Sequence, residues 1–149
     1  MKRRFLMIGL LNSLLGFIIK PKAINAALKP MDDYKSFTNS DWQKRLSSEA
    51  YNVLRKEGTE RPFSSIYNDE KRKGTFYCAG CELPLFSSST KFDSGTGWPS
   101  FWDHLPNGID TKTDFKLIVP RTEYHCSRCG GHQGHVFNDG PRPTGKRFC

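Results

Sequence analysis

Residues 126–137 read Cys126-Ser127-Arg128-Cys129-Gly130-Gly131-His132-Gln133-Gly134-His135-Val136-Phe137, and residues 78–81 read Cys78-Ala79-Gly80-Cys81. Each cysteine pair follows a short strand-like run and carries glycine inside or just after the turn. Two thiolates separated by two residues can aim at one cation from a tight turn whose amides face the sulfurs, and four such thiolates complete a tetrahedral zinc shell. The 44 residues between Cys81 and Cys126 exceed the ~15–20 of a compact zinc ribbon, so the metal would staple two distant segments. Two alternatives stand beside zinc: vicinal redox disulfides, or structural disulfides in an oxidising compartment. A redox pair usually opens a helix, and neither pair precedes a helical pattern. Because four thiolates leave no open position, zinc bound here is structural.

Outward from the knuckles, eleven of the 13 glycines and seven of the nine prolines lie from Gly58 onward. Short aromatic or β-branched runs between them predict strands at Thr75–Tyr77, Leu83–Phe86, Phe115–Val119, Glu123–His125, Gly134–Phe137 and Lys146–Cys149. One helix is predicted over Asp41–Glu57. Ser40 and Gln43 suggest its capping box, Trp42, Leu46, Ala50, Val53 and Leu54 recur at helical spacing, and Gly58 stands where a C-terminal cap would. These elements predict a mainly β domain with a helix packed on its N-terminal side.

Residues 1–27 open with Lys2-Arg3-Arg4 and continue into the apolar run Phe5–Ile19. The run is shorter than the ~20 residues of a spanning helix, which excludes a polytopic membrane protein. A basic stretch, an apolar run and a small-residue exit predict an export signal or membrane anchor, delivering the protein to the periplasm or an equivalent lumen, and the long continuous apolar run argues against an organelle transit peptide. Arg3-Arg4 before Phe5-Leu6 partly matches a twin-arginine signal, a route on which four reduced thiols could load metal before export. Residues 28–37, polar and interrupted by Pro30, read as a linker to a domain over 38–149. The chain's net charge of +8 is mostly leader: residues 1–22 hold five of the 23 Lys and Arg and no acid, leaving 18 bases against 15 acids, or +3. That balance argues against nucleic acid as a partner.

Cys149 is the fifth cysteine, and a thiol outside a closed metal shell is either inert and buried or a nucleophile. Arg147 precedes it by two residues, on the same face of a predicted strand, where a cation favours thiolate. With the metal satisfied by sulfur, His132 and His135 are free to hydrogen-bond or transfer protons; the plainer reading makes them solvated loop residues. Within the insert, Phe92-Asp93-Ser94-Gly95-Thr96-Gly97-Trp98-Pro99-Ser100-Phe101-Trp102 forms a rigid aromatic turn suited to a methyl or thioether group. Trp98, between Gly97 and Pro99, is expected to be exposed and Trp102 to lie in the core.

The ordered set Glu60-Arg61-Pro62-Phe63, Cys78-x-x-Cys81, Ser94-Gly95-Thr96-Gly97-Trp98-Pro99-Ser100-Phe101, Cys126-x-x-Cys129-Gly130-Gly131-His132-x-Gly134-His135-Val136-Phe137, Asp139-Gly140-Pro141 and Arg147-Phe148-Cys149 resembles the type B methionine sulfoxide reductases, which reduce the R epimer of methionine sulfoxide. The likeness runs from about Ser36 to Cys149. It implies two small antiparallel sheets of the Mss4-like, or β-tent, fold, with a structural zinc on Cys78, Cys81, Cys126 and Cys129. By the same resemblance Cys149 is the nucleophile, His132 and His135 polarise or protonate the sulfoxide oxygen, Trp98 and Phe137 line the methyl pocket, and Arg147 helps activate the thiol. It also implies a monomer acting on oxidised proteins or peptides, possessing methionine-R-sulfoxide, and passing through a sulfenic acid.

Two departures qualify this resemblance. Many members carry a resolving cysteine where this chain has Thr96, so recycling is expected to need an external thiol from a thioredoxin-like partner, or from glutathione with a glutaredoxin-like one. Members also continue past the catalytic cysteine, including an asparagine two residues on, so the sequence is expected to be cut short at Cys149 and, if not, impaired in turnover. A zinc-ribbon-like binding module without catalysis is the rival reading.

Overall fold

The computed structural model describes residues 33–115 and 119–149. Residues 1–27, read above as a signal or anchor, lie outside the described residues, as does the middle of the strand expected at Phe115–Val119.

The expected single helix is two: α1 (Asn39–Arg45) and α2 (Ser48–Lys56). The break falls at Leu46, whose extended backbone ends α1, and Ser47, whose hydroxyl accepts from the Ala50 amide and opens α2. A serine that satisfies a new helix's free N–H groups competes with continuing the old one. The capping box is Thr38 with Asp41 rather than Ser40 with Gln43. At the other end the left-handed cap is Glu57, at φ 56°, one residue before the expected Gly58. The apolar face survives the break. Trp42 is fully buried, stacks with Tyr34 at a centroid distance of 5.9 Å and packs at a tilt against Phe37 at 5.1 Å, while Arg55 covers its ring at 4.8 Å. Truncating Trp42 to alanine would cost about 3–5 kcal/mol.

Apart from a short 3-10 turn at Ser88–Thr90, the other regular elements among the described residues are strands, in two antiparallel sheets. The smaller pairs β1 (Thr75–Tyr77) with β2 (Pro84–Ser87), so the first knuckle is the hairpin turn between them. The larger contains β3 (Lys91–Phe92), β4 (Ser100–Phe101), β5 (Ile109–Asp114), β6 (Arg121–Cys126), β7 (His132–Phe137) and β8 (Arg147–Phe148), in the order β3-β4-β8-β7-β6-β5. The second knuckle joins β6 to β7. Strand β5, which the sequence did not suggest, ends just before the segment Phe115–Val119. Its Ile-Asp-Thr-Lys-Thr-Asp sequence has little apolar alternation because one of its faces carries charged groups of the site.

The core lies between the two sheets. Phe86 stacks on Phe101 at 4.3 Å, and Phe148 meets Tyr124 at 5.5 Å and Phe86 at 5.9 Å. Phe101 pairs with Phe148, and Phe148 with Val136, across neighbouring strands. Their alternation sends Arg147 and Cys149 to the opposite face. Trp102, expected in the core, is half-buried at its edge.

Candidate active site

The four knuckle cysteines converge. Their sulfurs all lie within 4.8 Å of one another, with Cys78 to Cys129 at 3.6 Å and Cys81 to Cys126 at 3.4 Å, and all four are buried. A tetrahedral ion with metal–sulfur bonds of about 2.3 Å spaces its sulfurs about 3.8 Å apart, so the set fits one ion and is too wide for disulfides. Backbone amides of Gly80, Leu83, Arg128 and Gly131 face the sulfurs. Arginines hold the knuckle carbonyls: Arg45 Nε donates to Gly80 O at 2.7 Å, Arg55 Nη1 to Cys129 O at 3.1 Å and Arg128 Nη1 to Cys81 O at 3.1 Å. Three cations around four sulfurs offset the net negative charge of a divalent tetrathiolate. Taken as thiols, the four are inequivalent. Burial pushes Cys81 up to about 12, whereas hydrogen bonds from Cys129 and Cys78 hold Cys126 far below an ordinary thiol. The buried donor set therefore suits a soft divalent ion such as zinc, in a closed structural shell.

The other predicted residues gather on the polar face of the large sheet. Cys149 follows β8 and exchanges both backbone hydrogen bonds with His135, at 3.0 and 3.1 Å. A regular strand would send His132 and His135, three residues apart, to opposite faces. They share one because β7 is bulged: His135 opposes Glu123, Gly134 opposes Tyr124, and His132 opposes His125, leaving Gln133 as the extra residue. The two rings consequently meet at 5.4 Å. Gly134 has φ +153°, and a Cβ there would strike the Cys149 carbonyl, so only glycine lets β8 approach. Gln133 points toward the four-sulfur cluster, its amide donating to Cys78 Sγ at 3.5 Å. Neither histidine is a solvated loop residue.

Each histidine faces a buried carboxylate that sequence reasoning missed. His135 Nε2 lies 2.8 Å from Asp114 Oδ2, and Arg121 Nη2 donates to the same oxygen at 2.6 Å. His132 Nδ1 is 3.0 Å from Glu123 Oε1, with Lys112 Nζ 3.1 Å from the other carboxylate oxygen. Strand periodicity, applied to β5 and β6 as a pair, is the signal that could have found them: Asp114 and Lys112 fall on one face of β5, and Arg121 and Glu123 on one face of β6.

Arg147 is buried and holds Asp139 through two hydrogen bonds of 2.9 Å, its guanidinium 4.2 Å over the Phe137 ring. Asp139, and then the nearby Cys149 sulfur, stabilise its charge. Thr96 Oγ1 lies 3.9 Å from Cys149 Sγ and belongs to a hydroxyl network with Ser94 and Ser100, each link 2.8 Å. Trp98 is half-buried and donates its indole N–H to Glu60 O at 2.9 Å, fastening the 60–63 segment over the loop. Thus the structure brings Cys149, His132, His135, Arg147 and Phe137 onto one sheet face, with the Thr96–Trp98 loop along its edge and the four-sulfur cluster separate.

This is a β domain with four buried sulfurs close enough to hold one metal ion, and a fifth thiol set apart on the sheet face that carries two imidazoles and a guanidinium. A family model for the SelR domain matches residues 46–149, and the chain belongs to that family, the type B methionine sulfoxide reductases. It is similar to peptide methionine sulfoxide reductase B1, chloroplastic, of Arabidopsis thaliana, 48% identical over 130 residues that cover 87% of this chain and 64% of that protein. It also resembles the peptide methionine sulfoxide reductases MsrB of Leptospira interrogans, 50% identical over 75% of this chain and 86% of the relative, and of Methanosarcina barkeri, 53% identical over 75% and 80%. The chain spans somewhat less than two thirds of the Arabidopsis relative's length.

These relatives correct the expected export to a periplasm or lumen and the expected membrane anchoring. The Arabidopsis protein is chloroplastic, an organelle address, and the match extends to a bacterium and an archaeon. No helix among the described residues is long and apolar enough to cross a membrane. A basic stretch followed by an apolar run is shared by several sorting routes, so its charge and length do not by themselves specify export.

Proposed function

We propose that the protein reduces methionine-R-sulfoxide in oxidised proteins and peptides to methionine, with Cys149 as nucleophile. The observation carrying this reading is the segregation of sulfurs: four buried and mutually close, and a fifth, partly accessible, beside Thr96 and within the field of Arg147. Zinc on Cys78, Cys81, Cys126 and Cys129 would supply structural cross-linking and no chemistry, tying the β1–β2 hairpin to the turn that feeds β7.

The Cys149 thiolate attacks the sulfoxide sulfur while the sulfoxide oxygen takes a proton. His132 and His135, on the same sheet face as Cys149, are the proton donors in this reading, and Arg147 favours the thiolate by its charge. The S–O bond then breaks, the hydroxyl passes to Cys149, and methionine leaves. The substrate sulfur gains two electrons and Cys149 loses two, ending as sulfenic acid. Trp98 and Phe137 offer aromatic surface to the methyl and thioether groups. Since Thr96 stands beside Cys149 and the other cysteines are committed, an external dithiol, or two monothiols, restores the enzyme, releasing water and a disulfide.

The test is reduction of R and S methionine sulfoxide, free and peptide-bound, coupled to dithiothreitol or to thioredoxin with NADPH. The R epimer is expected to be reduced by the wild type and not by Cys149→Ser. Equal turnover by both proteins, or preference for the S epimer, would overturn the reading, and a metal-loaded but inactive wild type would favour a binding module.

A further inference from the structure

His132 and His135 are held in different ways. His135 presents Nε2 to Asp114, in a hydrogen bond of 2.8 Å. His132 turns its other ring nitrogen inward: Nδ1 is buried 3.0 Å from Glu123 Oε1, yet the approach lies off the line of a hydrogen bond and the nitrogen has no well-formed partner. Glu123 is itself only 3% exposed. Its second oxygen is 3.1 Å from Lys112 Nζ, and the same ammonium reaches Glu57 Oε1 at 3.0 Å. Glu57 is the left-handed cap of α2, so the chain of contacts runs from the helix end through β5 and β6 to the histidine on β7.

A buried carboxylate beside a buried imidazole nitrogen is costly unless a proton lies between them. A proton held on Nδ1 against Glu123 leaves Nε2 facing the ligand, and the ring donates from Nε2 when it carries a second proton there, its charge then balanced by the Glu123 carboxylate. Hydrogen bonds at a catalytic site are often poorly aligned before substrate is bound and tighten in the complex. Lys112, attracting Glu123 from the far side, reduces the negative charge the carboxylate brings to His132.

We propose that Glu123 is the positioning residue for His132, fixing Nδ1 inward and Nε2 toward the ligand, and that Lys112, held by Glu57, tunes its grip. None of the three touches the reacting atoms. This inference rests on the proton-donor reading of His132 given above.

The test uses the full, zinc-loaded chain and the near-isosteric variant Glu123→Gln. In long-range nitrogen–proton spectra of the imidazoles, neutral wild-type His132 is expected to carry its proton on Nδ1, leaving Nε2 to take up the proton that is passed to the substrate. Glu123→Gln should shift the His132 ring signals toward the other tautomer and leave those of His135 in place. Turnover should fall about tenfold or more with KM changed less than about twofold, a split that general misfolding would not produce. Lys112→Met should move the His132 signals by a smaller amount, and it carries the spectroscopic test if Glu123→Gln does not fold. Unchanged His132 signals in the folded variant, or signals of both histidines moving together, would overturn the proposal. The ring spectra need no turnover, so a wild type without reductase activity would sink the functional reading while leaving the positioning question decided by the spectra.

Discussion

Replacing Thr96 with cysteine tests whether the loop beside Cys149 governs how the enzyme is recycled. Thr96 Oγ1 is 3.9 Å from Cys149 Sγ, and a cysteine sulfur at this position needs only a side-chain rotation and a small loop movement to bond it. The substitution also removes the hydroxyl link to Ser94 at 2.8 Å, at a cost of about 1 kcal/mol. Once formed, the bridge closes a loop between residues 53 positions apart, which restricts the unfolded chain by about 4 kcal/mol at 25 °C before native strain is subtracted. The oxidised variant should therefore unfold at a temperature higher by about 10 °C. The assay is one turnover with methionine-R-sulfoxide and no reductant, followed by intact-protein and peptide mass spectrometry. Wild type should retain one added oxygen on Cys149, while Thr96→Cys should lose two hydrogens and yield a peptide joining residues 96 and 149. A variant that accumulates the sulfenic acid without forming the bridge would refute the placement of this loop.

Three further outcomes follow from the same geometry. Gly134→Ala would drive a methyl into the Cys149 carbonyl at φ +153°; it should lose about 1–3 kcal/mol in denaturant unfolding and most of its turnover, and a variant with both unchanged would contradict the β7–β8 approach. Stripping metal with a strong chelator at pH 7 should abolish cooperative unfolding, because a structural zinc supplies about 10 kcal/mol or more to a small domain, so an unchanged melting profile would deny the cluster that role. Arg147 holds the Asp139 carboxyl below its ordinary value, so the pair contributes fully above about pH 4 and the contribution is lost as pH falls through the lower native value. Because Asp139 is 62% exposed, the effect should be under about 1 kcal/mol. An Asp139→Asn protein should show a correspondingly smaller loss of stability on acidification, and identical pH profiles would count against the pair.

How much of this was legible in the sequence depends on whether local spacing or strand register carried the information. The CxxC spacing picked out the four cysteines that cluster because a tight turn brings its own two sulfurs together; only their common destination needed the fold. Cys149 stood out by elimination, and the aromatic periods found Trp42 and Leu54. Ser47 was read as helix interior, whereas its hydroxyl competes for the free N–H groups of a second helix. The shared face of His132 and His135 depends on a bulge, for which Gly134 is the one local sign. Asp114 and Glu123 resemble solvent-facing residues when each strand is read alone, and become buried partners of the histidines only when β5, β6 and β7 are aligned.

The central claim is that one sulfur stays free and nucleophilic while four hold a metal. Titrating the zinc-loaded protein with an alkylating agent, mapping the modified cysteine and following R-sulfoxide reduction on the same samples tests it most directly. The account predicts modification of Cys149 first, activity lost in proportion to it, and zinc retained. Early modification of Cys78, Cys81, Cys126 or Cys129, or activity persisting when Cys149 is fully alkylated, would contradict it.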